Sequence, residues 1–506
     1  MLKRNLIANY LGQGWTALMG LAFIPLYIKY LGIEAYGLIG LFAVLQAWLT
    51  LLDMGMSPTL SREMARFTAG THSATSIRDL LRSIEIITLG MALLVALGIW
   101  AASGWLASDW LRAEKLPVET VAQAFAIMGV VTALRFVEGI YRSAIIGMQR
   151  QVLYNLGNSA LATLRGLGAV GVLVWVSTTI EAFFIWQGLV SLLTVATLAG
   201  LTYRALPAAE RGGRFSVPAL RRIGKFAGGM LGITFLALLL TQVDKILLSK
   251  LLTLSEYGYY TLATTVAGAL YMLTGPITQA WFPRLTELYA ANNQAELIVR
   301  FHQGAQLVSV FMGSAAIIMI VFAEPLLLLW TRDAELARSS ASLLSILALG
   351  TLLNGLMWIP YQTQLAHGWT RLAFWVNVVS VLIIVPAIWW ATPRFGAEGA
   401  AWAWVCLNAG YVLIAIHFMF RKILTHEKWR WYRQDLLKPL LAAASVASIS
   451  FWAMPATLAA PLQLVWLLLA SALTLLASAL AAPAVRSVLL GQARLRFKSN
   501  GLSTAP

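Results

Sequence analysis

Arg165 stands in the middle of an apolar stretch, residues 153–176, where a lone charge is costly. Asn155, Asn158, Ala162 and Arg165 follow one another at spacings of three, four and three, so on a helix they share one face. A guanidinium beside a stripe of amides suits one chemistry in particular. Its planar fork makes paired, charge-assisted hydrogen bonds to phosphate or carboxylate oxygens, and the amides serve neighbouring hydroxyls. The competing reading is a structural arginine paired with a carboxylate from an adjacent helix. Arg135, in the apolar stretch 120–141, is a second candidate. Glu138 and Arg142 follow it at one-turn intervals, so that ladder can also satisfy itself.

Other polar residues interrupt apolar runs in the same way. Asn9, Gln13, Thr16 and Gly20 share a face of the first run, and Gln46 lies midway along the second. Thr234, Thr241, Asp244 and Lys245 cluster toward one end of the seventh, and Asn354, Asn377 and Asn408 fall in the tenth to twelfth. Each either lines a polar cavity or bonds helices together. Asp244 and Glu138 are the carboxylates placed to take up H+ or Na+ as a coupling ion, and each has a basic neighbour that can hold it ionised. Asp53 reads best as a cap or as a partner of Arg62 or Arg66.

The elements carrying these residues are set by hydropathy. Of the 506 residues, 59% are hydrophobic and 11% charged, far fewer charges than a soluble domain holds. Long segments such as 86–108, 182–203, 257–283 and 439–485 contain no Asp, Glu, Lys or Arg. A helix of roughly 20 apolar residues crosses a bilayer, and without strict alternation a barrel is excluded. The expectation is an all-α polytopic membrane protein of about 14 transmembrane helices, at 5–28, 35–57, 84–107, 120–141, 153–176, 182–203, 226–249, 257–281, 301–323, 340–362, 373–392, 399–420, 437–454 and 463–485. The first run lacks a small-residue cleavage site and reads as a span, not a signal peptide. With the N-terminus inside, 27 of the 37 Lys and Arg fall in cytoplasmic segments and 8 outside, predicting both termini in the cytoplasm. The net charge of +16 is thus a topology signal and a contact for anionic membrane lipids, not a nucleic-acid surface. The aromatic and basic run Trp429 to Arg433 reads as an anchor at the membrane interface.

Shifting the chain by 221 residues superposes Lys29 on Lys250, Leu31 on Leu252, Tyr36 on Tyr257, Gly37 on Gly258, Gly147 on Gly368 and Arg150 on Arg371. This predicts two related six-helix lobes in a pseudo-two-fold arrangement, 1–204 and 225–425, joined by a cytoplasmic linker at 205–224 rich in Arg, Gly and Pro. Two extra helices at 426–485 and a basic cytoplasmic tail at 486–506 complete the chain. An even number of spans per lobe makes the repeats parallel, an arrangement that places a substrate site between halves.

Several chemistries are absent from the sequence. The five histidines are scattered without metal-ligand spacing, and no Walker motif or nucleophile elbow occurs. The single cysteine, Cys406, allows no intrachain disulfide. Neither an enzyme nor a resident cofactor is expected.

The order of short motifs resembles a known family. Leu31-Gly32, Tyr36-Gly37 and Leu52-Asp53-Met54-Gly55 are followed by Gly147-Met148-Gln149-Arg150, Asp244-Lys245-Ile246, Glu256 to Tyr260 and Gly396 to Ala401. Together they are similar to the Wzx-type polysaccharide flippases of the MOP (MATE-like) exporter superfamily. The resemblance implies a multi-pass protein of the bacterial inner membrane. It implies translocation of an undecaprenyl-pyrophosphate-linked saccharide, for O-antigen or exopolysaccharide, by alternating access through a cationic cavity. It further implies cation coupling and work beside a polysaccharide polymerase and chain-length proteins. Lipid II flippases and cation-coupled multidrug exporters are the sibling readings. The extra two spans and Arg165 count against the exporter. The lack of a mid-membrane Arg in spans one, two and eight counts against the lipid II flippase.

Overall fold

A computed structural model describes residues 2–53, 55–68, 73–207, 211–218, 235, 238–239, 241–369, 371–455 and 458–487, the side chains of 2–10, 50 and 279 excepted. Every regular element among these residues is helical. Ten helical stretches, from Leu11–Leu31 to Ala460–Ala481, are long and apolar enough to cross a bilayer, and Ile33–Leu49 is a shorter apolar helix. Large apolar side chains face outward, Leu94 at 71% and Trp452 at 88% exposure. Outer faces of that kind suit hydrocarbon, and the fold is that of a polytopic membrane protein.

The observed helices differ from the expected spans in informative places. Arg371–Gly410 holds two expected spans in one element, kinked at Gly396, whose φ of +59° a side chain would resist. The expected helix at 257–281 is instead two, Leu254–Gly268 and Tyr271–Ala290, the second containing Pro276 and Pro283. The expected span at 226–249 lies largely outside the described residues, as does Thr234.

The chain divides into two compact units, Met1–Gly258 and Tyr259–Pro506. The first contains α1 (Leu2–Ala22), α2 (Ile24–Leu31), α3 (Ile33–Leu52), α4 (Met56–Thr68), α5 (Ala74–Trp105), α6 (Val118–Gly147), α7 (Gln151–Trp175) and α8 (Ile180–Ala205). Its end lies beyond the expected linker, part of which is pinned to α5. Arg211 Nη2 and the Arg214 backbone N–H donate to Asp79 at 2.8 and 2.7 Å, and the Ser216 N–H donates to Ser83 Oγ at 2.8 Å.

α6 is the centre of this unit, packed by α3, α4, α5 and α8. Leu60, Met64, Ile77, Leu81, Ile84 and Ala144 are wholly buried between them. α4 reaches α6 at Gly147, where an added Cβ would strike the Ser61 backbone. α1 lies on α7, with Gly12 against Asn155. Two glycines matched by the 221-residue shift also meet. A Cβ on Gly37 would come within 2.7 Å of the Leu254 carbonyl oxygen, and one on Gly258 would strike that of Ile33. Ile33 and Leu254 are themselves related by the same shift.

At the opposite end from α4, buried Glu34 at the start of α3 accepts the N–H groups of Glu114, Lys115 and Leu116, at 2.6 to 3.2 Å. This fixes the connection between α5 and α6. In the second unit, helix Gln294–Val321 packs against Ala334–Leu356, Lys438–Trp452 and Ala460–Ala481. Trp431 is wholly buried there while Trp429 is 63% exposed, so the run Trp429 to Arg433 faces both ways. The π-helical turn Trp431–Leu437 rotates Trp431 inward.

Candidate functional site

A cavity of about 1090 Å³ opens within the first unit. Gln13 and Thr16 reach it from α1, Gln46 and Asp53 from α3 and its C-terminal end, and Ser57 and Ser61 from α4. Arg135, Glu138 and Arg142 come from α6, and Tyr154, Asn155, Asn158 and Arg165 from α7. This lining of amides, hydroxyls, three arginines and two carboxylates makes a polar chamber with an excess of basic groups inside apolar helices.

The two arginines at membrane depth are held differently. Arg135 donates Nη1 to Gln46 Oε1 at 2.5 Å and Nη2 to Gln187 Oε1 at 3.0 Å, and its guanidinium lies 4.9 Å from the Phe42 ring centroid. All these partners are neutral, so they orient the fork without cancelling its charge. The expected ladder from Arg135 to Glu138 does not form. Instead Arg165 Nη2 stands 3.8 Å from Glu138 Oε2 and donates to Thr194 Oγ1 at 3.4 Å. Arg165 therefore both lines the cavity and has a carboxylate on a neighbouring helix, joining the two readings of its sequence. The Nε atoms of both arginines are buried without a hydrogen-bond partner.

The amides form an inter-helix lattice beside them. Asn158 Nδ2 donates to Thr16 Oγ1 at 3.2 Å, and Asn155 Nδ2 to the Gln151 carbonyl at 2.9 Å. Asp53 is a cap: it accepts from the Ser57 N–H at 3.0 and 3.1 Å and from Ser57 Oγ at 2.7 Å. Arg62 and Arg66 pair with Glu63 instead.

Seven expected residues thus share one cavity: Gln13, Gln46, Arg135, Glu138, Asn155, Asn158 and Arg165. Three do not line it. Asp244 stands 3.6 Å from Lys245 Nζ. Asn354, in the second unit, donates to Asn408 Oδ1 at 2.8 Å and accepts from Tyr271 Oη at 3.0 Å, a helix-bonding arrangement. Asn377, also in the second unit, is half-buried on Arg371–Gly410. Asn9 carries no described side chain.

Sequence reasoning missed Gln187 and Thr194 of α8, which hold the two arginines, and the cavity residues Ser57, Ser61 and Tyr154. Their types carry no signal alone; only the crossing of helices shows it. Also unforeseen is a buried node in the second unit. His302 bonds Asp435 through Nδ1 and Glu427 through Nε2, the latter at 2.8 Å. Gln306 donates to Asp435 and accepts from the Ala484 N–H, at 2.8 and 2.7 Å.

Fold and site together define a multi-pass helical membrane protein with an arginine-lined chamber among its apolar helices. The family model described as polysaccharide biosynthesis protein matches residues 2–289, over half of the chain, and the MatE model matches residues 230–390. The chain belongs to the polysaccharide biosynthesis protein family, and the relatives it matches are described as transporters and flippases. A curated relative from Shigella flexneri, "Putative O-antigen transporter", is 19% identical over 407 residues, covering 79% of this chain and 93% of its own. Among solved structures, the lipid II flippase MurJ in an inward closed conformation superposes with a TM-score of 0.69 at 13% identity, covering 94% of this chain and 98% of that one. An inward-facing MATE family multidrug transporter does so with a TM-score of 0.63 at 14% identity, covering 81% and 96%. At these identities the structures establish the fold.

Proposed function

We propose that this protein flips a polyprenyl-pyrophosphate-linked oligosaccharide from the cytoplasmic to the outer leaflet of the bacterial inner membrane, for O-antigen or exopolysaccharide assembly. The carrying observation is the chamber of the first unit, where Arg135 is fixed by neutral partners and Arg165 has one weakly engaged counter-charge. A pyrophosphate needs such donors at membrane depth, since an unpaired charge in hydrocarbon costs at least a few kcal/mol. The amide and hydroxyl lining suits sugars, and the prenyl tail stays in lipid. The family membership and the O-antigen transporter relative support the saccharide class.

In this reading fourteen spans leave both termini in the cytoplasm, and transport proceeds by alternating access. The substrate and membrane lipids are the immediate partners; a polysaccharide polymerase and chain-length proteins act on the flipped product. A cavity with three arginines and two carboxylates fits an anion better than the cationic drugs of multidrug exporters. The test is export in a strain lacking the chromosomal copy. Arg165→Ala should abolish surface polysaccharide at unchanged protein level in the membrane. Full export by that variant would refute the role of the chamber.

A further inference from the structure

In the second unit, the helical stretch Arg371–Lys422 ends and Lys428–Trp452 begins at one membrane surface. The turn between them is tightly held. Ile423 and Leu424 are buried, and Leu424 and His426 take left-handed backbone, at φ +54° and +80°. Residues with a Cβ adopt that conformation only where packing compels it.

Charges around the turn are sorted. Its two acids, Glu427 and Asp435, are bonded to buried His302. Its bases lie outside, with Arg421, Arg430 and Arg433 exposed. Arg430 keeps Glu427 at 3.4 Å. Among the described residues, Arg421, Lys428 and Arg433 pair with no carboxylate. Lys428 is nevertheless held in place. Its Nζ donates to His417 Nδ1 at 2.9 Å and lies 5.2 and 5.9 Å from the ring centroids of Trp429 and Tyr432. A neutral acceptor and two ring faces orient the ammonium without cancelling its charge. Arg421 follows His417 by one helical turn, on the same side.

An exposed stripe runs on from these cations. Trp429, Arg433, Leu437 and Leu441 follow one another four residues apart across the π-helical turn Trp431–Leu437, and all four are exposed. Read from the turn into the helix, the stripe is aromatic, cationic, then aliphatic twice. A phospholipid has the same order, with an anionic phosphate at the interface and hydrocarbon below it.

We propose that Arg421, Lys428 and Arg433 seat the phosphodiester of one anionic phospholipid, whose acyl chains lie along Leu437 and Leu441. The net charge of the chain draws it to any anionic surface, whereas this seat holds a single lipid at a fixed place. Phosphate oxygens accept charge-assisted hydrogen bonds from the guanidinium and ammonium groups. A zwitterionic headgroup brings its own ammonium among three cations and is disfavoured. The seat uses no residue of the chamber, so it stands apart from what the protein carries.

The experiment uses the full chain in detergent micelles, titrated with dioleoyl phosphatidylglycerol and followed by native mass spectrometry, which counts bound lipids. Dioleoyl phosphatidylcholine, with the same chains, is the control. Wild type should retain one phosphatidylglycerol at concentrations where phosphatidylcholine is lost. Each basic residue at an anionic lipid surface contributes about fivefold, so three contribute about a hundredfold before screening by salt. The triple variant Arg421→Gln, Lys428→Gln and Arg433→Gln should therefore bind phosphatidylglycerol at least about tenfold more weakly. The charge-matched variant Arg112→Gln, Arg150→Gln and Arg338→Gln, at exposed positions elsewhere, should bind as wild type does. Leu437→Gln with Leu441→Gln should also weaken retention, and inorganic phosphate at equal concentration should not displace the lipid. Equal retention of the two lipids by wild type, or equal loss in both triple variants, overturns the seat. Displacement by inorganic phosphate, or retention unchanged by the leucine substitutions, shows a site for a free anion and overturns the lipid as its occupant.

Discussion

Glu138 Oε2 lies 3.8 Å from Arg165 Nη2, across the gap between α6 and α7, while the arginine on its own helix, Arg135, turns to Gln46 and Gln187. The pairing crosses helices where the sequence offered a closer partner one turn away. Two arginines with different constraints follow from it, one held by neutral amides and one set beside a carboxylate.

Arg135→Lys should behave as a disruptive change despite keeping the charge. An ammonium cannot reach both glutamines from one planar fork, nor stack on Phe42 in the same way. Export should fall at least tenfold at normal membrane abundance, measured as surface polysaccharide. Export at wild-type level would show that the fork geometry is dispensable.

Gly147→Ala tests the support behind the chamber. The added methyl meets the Ser61 backbone, which cannot rotate away, and Ser61 itself lines the cavity. Overpacking of this kind costs about 1–3 kcal/mol. The purified variant should melt several degrees lower and lose export together. A stable variant with full export would mean that α4 shifts freely.

His302→Ala should weaken the hold of the last two helices on helix Gln294–Val321. The change leaves Asp435, wholly buried, with the Gln306 amide in place of the imidazole as its hydrogen-bond partner. Removing a hydrogen-bond partner from a buried polar group costs about 1–3 kcal/mol. Thermal unfolding in detergent reads the loss, and the double variant His302→Ala with Asp435→Ala should recover part of it. No recovery would argue against a direct coupling.

Glu34→Gln examines the other end. Three backbone N–H groups converge on this one carboxylate. Charge-assisted bonds are roughly twice as strong as neutral ones, so stability should drop by about 1–3 kcal/mol. Limited proteolysis should then cut faster within 111–117 while sites elsewhere hold.

Much of this was legible in the sequence. Mid-membrane placement singled out Arg135 and Arg165, because hydrocarbon makes a lone charge conspicuous in an apolar run. The three-four-three spacing put Asn155, Asn158 and Arg165 on one helical face, and the structure keeps them on one cavity wall. What stayed hidden is pairing between helices. Hydropathy gives no azimuth, so it could not say that Glu138 turns to α7, that Asn354 meets Asn408, or that Gln187 holds Arg135. The anchoring of the linker stayed hidden for a related reason: its glycine, proline and arginine content does not say that Asp79 on α5 holds the Arg214 backbone.

The Gly37 and Gly258 contact carries a consequence for how this chain can change over time. Each glycine makes room for the carbonyl of the residue four positions before the other, and one shift of 221 residues superposes both pairs. The contact is therefore a reciprocal handshake, in which neither hand can thicken without displacing the other. A deep mutational scan should show the two positions as twins, equally intolerant of alanine, and a larger residue at one should find no rescue by any change at its mate.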